Sequence, residues 1–211
     1  MRWIPLLILT ASALVAASDK ATVVYSKSFP GSVPAFVSVE IHKDGNAVYK
    51  EAPDDQEPVA FRVAAEEVGQ VFELADKLDK FKRPLESGLK VANMGKKTFL
   101  YLDGGDKHEV VFNFSLDENA RTLLDWFERV TETQQLFWGL ERSVKFDRLG
   151  VNKSLLQLET AMDRKRIVSS DRFLPLLDRV AKNDSYLHMA RERAAAIADL
   201  LRNPKPKPAA E

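Results

Sequence analysis

Apolar and polar residues alternate through the front of the chain, and the period then changes. In "AFVSVEIH", residues 35–42, Val37, Val39 and Ile41 fall on one side and Ser38, Glu40 and His42 on the other. That two-residue period marks a half-buried strand. "ATVVYSKSF" at 21–29 reads as an earlier strand, and "SFPGSVP" between the two, with Pro30, Gly31 and Pro34, reads as a turn. "KDGN" at 43–46 carries the Asp-Gly pair that suits a tight hairpin and leads into "AVYKE". "EPVAFRV" at 57–63 supplies a fourth strand.

The period lengthens in "AAEEVGQVFELADKLDKF" at 64–81, where Val68, Val71, Phe72, Ala75 and Leu78 share one helical face. Glu73 with Lys77 and Asp76 with Lys80 are spaced as helix-surface ion pairs, and Pro84 is expected to end the helix. Residues 83–96 read as a long connection. "KTFLYLDGGDKHEVVFNFS" at 97–115 returns to alternation: Phe99 and Tyr101 lead to a turn at Asp103-Gly104-Gly105-Asp106, and Val110, Phe112 and Phe114 come back on one face. "SLDE" at 115–118 reads as a capping box, with Ser115 and Glu118 satisfying helical amides reciprocally. A long helix follows to about residue 146, with an apolar set too broad for one stripe, so two packing surfaces are expected: the sheet near its start and more helices near its end. Asn152 and Ser170 open further helices, and Leu187, Ala190, Ala194, Ile197 and Leu201 mark the last.

The predicted fold class is α+β: an antiparallel sheet of about six strands with one packed helix, followed by a long helix and an all-α C-terminal bundle. The expected organisation is a leader at 1–17, a sheet-plus-helix domain at 18–116, a helical region at 117–202 and an extended, disordered Pro/Lys tail at 203–211.

The leader expectation rests on "MRWIPLLILTASALVAASDK", where Arg2 is the one charge before Asp19 and the apolar run ends in small residues. That is the layout of a secretory signal, with cleavage expected after Ala17 and Ser18 next best. As a helix, the run from Trp3 to Ala17 would span about 22 Å, short of a hydrocarbon core of about 30 Å. An exported protein, periplasmic or secreted, is therefore expected, with no integral span once the signal is removed. The chain has no cysteine, which excludes a disulfide framework and lipid attachment through a thiol. Lysine plus arginine and aspartate plus glutamate each number 31, so no basic field exists to attract nucleic acid.

Two partial resemblances add to this. The strands, helix and "SFPGSVP" turn of residues 22–114 resemble a domain of exported bacterial proteins that has no assigned activity. In that family two hairpins flank one helix, and a turn of the form C-F-G-x-C-P joins the first strands. The Phe, Gly and Pro persist here and both cysteines are absent. The resemblance implies fold and export. "FLPLLDRVAKNDSYLHMARERAAAIADLL" at 173–201 is similar to one HEAT-type helical pair. A solenoid needs about three stacked units. One is visible, with a degenerate partner at 152–168, so a helical bundle is the expectation.

Local chemistry is sparse. "HEVVF" at 108–112 lacks the second histidine of the zinc motif H-E-x-x-H and is patterned as a strand, where positions four apart lie about 13 Å from each other. "DGGD" lacks the Gly-Lys-Ser/Thr of a phosphate loop. His42 and His108 both sit beside hairpin turns, so a weak metal site is conceivable only if the two turns meet. Ser87 and Lys90 share a loop, but a dyad requires burial. Glu66-Glu67 and Asp54-Asp55 are adjacent and would diverge on regular structure. Phe29 and Trp138 are the candidate partner contacts; Trp138 either faces solvent or packs under the C-terminal helices, and packing is the expectation. No catalytic set, metal or cofactor is assigned. The leading expectation is a non-catalytic protein-binding or assembly module of the bacterial envelope with a protein partner there. The rivals are a hydrolase with separated carboxylates and an apolar-ligand carrier.

Overall fold

β1 (Thr22–Ser28) is the hub of the sheet, because it pairs with strands from both halves of the front region. In the computed structural model, which describes residues 21–203, six strands run in the order β4-β3-β2-β1-β5-β6, each antiparallel to its neighbour. The others are β2 (Phe36–His42), β3 (Asn46–Lys50), β4 (Val59–Arg62), β5 (Lys96–Asp103) and β6 (Asp106–Phe112). The stretch at 97–115 is a hairpin: Asp103 pairs with Asp106, and Gly104 takes a positive φ of 59° at the two-glycine turn. The leader at 1–17 with its cleavage site at Ala17 and Ser18, and the tail beyond residue 203, lie outside the described residues.

Alternation decides which face is covered. Val23, Tyr25, Val39, Ile41, Tyr49, Phe99 and Phe112 are buried, while their alternates, apart from the buried Thr22, stay at least partly exposed. The cover comes from α1 (Ala65–Lys77) and the first half of α2 (Glu118–Phe146). Val68, Val71, Phe72 and Ala75 of α1 are buried, and the Phe72 ring meets Tyr101 edge-on at 6.5 Å. Glu73 and Lys77 pair at 2.6 Å as expected. Asp76 and Lys80 do not, because the helix stops at Lys77, well before Pro84. Asp79, Lys80 and Phe81 then all take positive φ, 54°, 51° and 66°. The left-handed region costs a non-glycine residue about 1–2 kcal/mol. The turn offsets that cost by swinging Phe81 into the core, 5.2 Å from Phe99, and Lys80 over the Tyr101 ring at 5.1 Å.

The cap of α2 differs from the expected box. Asp117, not Ser115, caps the helix and accepts from the Ala120 amide at 3.0 Å. Its carboxylate suits the positive end of the helix and is held in place by Arg83 at 2.6 Å, which also lowers its pKa. The Ser115 hydroxyl accepts from the Asp117 amide instead.

The 29 residues of α2 serve two cores, as its broad apolar set predicts. Leu123, Phe127 and Val130 join the sheet core, whereas Leu140 and Val144 join a second core with α3 (Val151–Asp163), α4 (Leu174–Ala181) and α5 (His188–Arg202). The sheet core thus continues past residue 117 into the first half of α2. Trp138 corrects the packing expectation: it is partly buried against the sheet core, edge-on to Tyr49 at 5.5 Å, rather than under the C-terminal helices. Among the described residues no helix is long and apolar enough to cross a membrane.

Candidate functional site

The inward row of β1 runs Val23, Tyr25, Lys27, and its last member breaks the apolar pattern. Lys27 faces Glu128 of α2 at 3.9 Å. Its direct cross-strand partner on β5 is Lys97, so two lysines oppose each other under the helix. Like charges so placed destabilise a sheet. Lys97 is 2% exposed and donates from Nζ to the carbonyl oxygens of Asn113 at 2.7 Å, Met94 at 3.2 Å and Gly95 at 3.3 Å. Burial, and then Lys27, hold its pKa below the ordinary lysine value, while Glu128 and Glu86 pull it back. With its ammonium capped by three carbonyls, Lys97 anchors the 83–95 connection. Glu86 and Asn113 strengthen that anchor: Glu86 accepts from the Asn113 amide, and Asn113 bonds the backbone of Met94 and Ala92.

Phe29 is seated by the same segment. Gly95 has a φ of 89°, and a Cβ there would fall 2.9 Å from the Cβ of Phe29, so the ring packs on bare backbone. The loop beyond Phe29 is closed by its amide bonding Ala35 at 2.8 Å and by the Ser32 hydroxyl donating to Phe29 and Pro34. This leaves Val33 at the loop tip, 98% exposed.

Between that loop and α2 lies a cleft of about 300 Å³, lined by Tyr25, Lys27, Phe29, Pro34 and Glu128 among others. A second cleft of about 510 Å³ separates α2 from α3, lined by Leu136, Gly139, Leu156 and Ala161. Glu132 and Gln135 line both, so the two clefts adjoin along α2, together the α2 groove. Arg166 fixes the junction by donating to Glu132 at 2.9 Å and to Asp125 at 2.5 Å. At the floor, Tyr25 is fully buried, stacked on Phe127 at 5.0 Å, and its hydroxyl has no hydrogen-bond partner.

Burial, then Glu128, push the Tyr25 phenol well above its ordinary value. The unfolded phenol ionises near pH ~10 while the folded one keeps its proton, so this contribution to stability is present below about pH 10 and is lost as pH rises above it. Tyr25→Phe is expected to change stability at neutral pH by less than about 1 kcal/mol, because no bond is lost, and to reduce the alkaline loss. Urea unfolding at several pH values checks both.

The histidines do not meet. His42 aligns through Thr22 and Leu102 with Lys107, three strands away, a separation of about 14 Å. His108 pairs with Tyr101 on the inward face, opposite to His42, which bonds Thr22 and Glu40 on the outer face. Among the described residues no group of three or more His, Asp or Glu could hold a metal. Lys90 is exposed, and the Ser87 hydroxyl accepts from the Leu89 amide, so no dyad is assembled. Burial pushes the Glu67 carboxyl above its ordinary range, but Glu67 does not line the groove. Lys27 and Lys97 were missed as site residues, although the period-2 pattern places both on the inward faces with Tyr25 and Phe99. Comparison with known protein families and with curated proteins returns no match.

Proposed function

We propose that the chain is a non-catalytic protein-binding module of the bacterial envelope, and that the groove along α2 receives a segment of its partner. The observation that carries this reading is that the two clefts adjoin at Glu132 and Gln135, with apolar side chains on both lips. Val33 is 98% exposed on one lip and Leu156 is 49% exposed on the other. The two clefts mix apolar patches with charges already partnered within the protein. Such a surface suits a protein segment, where apolar anchors carry affinity and a polar rim sets orientation. The hydrolase reading finds less support, because the carboxyl with a raised pKa lies elsewhere. The carrier reading does too, because Phe81, Phe99, Phe112 and Phe127 fill the space behind the sheet.

A photo-crosslinking residue placed at Val33 and, separately, at Leu156 should capture the same protein from an envelope extract, while one at Leu200 on α5 should not. No capture from either lip, or equal capture from Leu200, contradicts the reading.

A further inference from the structure

A second feature, independent of the α2 groove, lies at the β4 edge of the sheet. β4 is one of the two terminal strands, and among the described residues it pairs only with β3. The Val63 amide bonds the Gly45 carbonyl at 2.9 Å, and the register continues from there. Hydrogen-bonded pairs alternate in an antiparallel ladder, so Phe61 and Val59 direct their backbone groups at β3. Ala60 and Arg62 direct theirs outward, where no strand among the described residues meets them.

Beneath that edge is a cleft of about 530 Å³, lined by residues 60–64, Phe137, Ser169 and Arg172. Arg172 is half-buried and sits 4.0 Å from the Phe137 ring centre and 6.0 Å from that of Phe61. Its hydrogen bond goes to a neutral acceptor, Gln134, and no described carboxylate forms an ion pair with it; Glu141 acts on it only through space. Burial holds the guanidinium below its usual pKa. The Ser169 hydroxyl in the same cleft is buried without a partner. Asp171, exposed at the rim, also lines the cleft. A half-buried cation without an ion-pair partner among the described residues, set against two rings and beside unpaired strand backbone, is what a carboxylate on an extended chain would complete.

We propose that β4 accepts an extended peptide as a seventh strand, bonded to the backbone of Ala60 and Arg62, with a peptide carboxylate on Arg172. The carboxylate is either an acidic side chain or a chain terminus. Strand addition supplies affinity through the main chain, and the half-buried Arg172 guanidinium supplies selection for one charged position, while the exposed Arg62 is already bonded to Asn46 and the Asp44 carbonyl. The short edge, only four residues, otherwise limits indiscriminate pairing.

The test uses the full chain and three probes in a calorimetric titration. One is the blocked peptide acetyl-Thr-Val-Glu-Val-Thr-amide, the second its Gln counterpart, and the third the Gln peptide with a free C-terminal carboxylate. Binding of the first probe identifies a side-chain carboxylate and binding of the third a terminal one. In either case the blocked Gln peptide should bind about tenfold more weakly or worse. Arg172→Met should cost about the same factor. Ala60→Pro, which removes an outward N–H and is tolerated at an edge, should also abolish binding. Circular dichroism and melting confirm that both variants fold. On the unmodified protein, amide exchange at Ala60 and Arg62 should slow when the bound peptide is present. Equal affinity for charged and neutral probes, no binding of any, or unchanged exchange at those two amides would overturn the proposal.

Discussion

Replacing Phe127 with alanine is expected to lower the unfolding free energy by about 3–5 kcal/mol. The ring is fully buried and lies 5.0 Å from Tyr25, 5.1 Å from Trp126 and 6.0 Å from Phe99. It is the point where α2 meets β1 and β5 together. Rigid rings surround it, so the space left by truncation cannot close, and the cavity adds to the lost burial. Urea unfolding followed by tryptophan fluorescence measures the loss. Phe146, 82% exposed at the end of the same helix, provides the contrast: Phe146→Ala should stay within about 0.5 kcal/mol of the parent. A loss under about 1 kcal/mol for Phe127→Ala would mean that the α2–sheet contact does not hold the fold.

Charge reversal at Lys97 is expected to be at least as severe, above about 4 kcal/mol. A carboxylate at that position would face the three carbonyl oxygens of Met94, Gly95 and Asn113 with no donor to offer. Lys97→Met keeps the buried stem and should cost only about 1–2 kcal/mol, since the carbonyls lose their donor while the opposition to Lys27 is relieved. The pH dependence separates charge from packing. The folded protein holds the Lys97 proton less tightly than the unfolded chain, whose lysine titrates near pH ~10.4. Between the lowered folded value and that pH, the unfolded state binds more protons, so stability rises with pH across the window. Lys97→Met should flatten that rise. A rise that persists in Lys97→Met would place its source elsewhere.

The ribbons were legible in the sequence because one face of each is wet and the other dry, which fixes a two-residue period. Val37-Val39-Ile41 and Val110-Phe112 are buried where that period puts them. The reach of α2 into two cores was legible from the width of its apolar set. The early end of α1 was not: Asp79, Lys80 and Phe81 include no glycine to announce a left-handed turn, and only the aromatic core that receives Phe81 explains it. Trp138 was misplaced because a helical pattern says which residues are buried and not against what; its partner, Tyr49, is far away along the chain. The inward lysines were readable as violations of alternation, but their opposition depends on the β1–β5 register, which links strands across the whole front region. The groove itself needs α2 set against both a loop and α3, and no local pattern encodes that.

A titration of the protein captured at Val33 and Leu156 against variants of this chain tests a binding role for the α2 groove most directly. Val33→Asp and Leu156→Asp should each weaken the affinity about tenfold or more, and Leu200→Asp should leave it unchanged. Undiminished affinity in both lip variants, or an equal loss in Leu200→Asp, would contradict it.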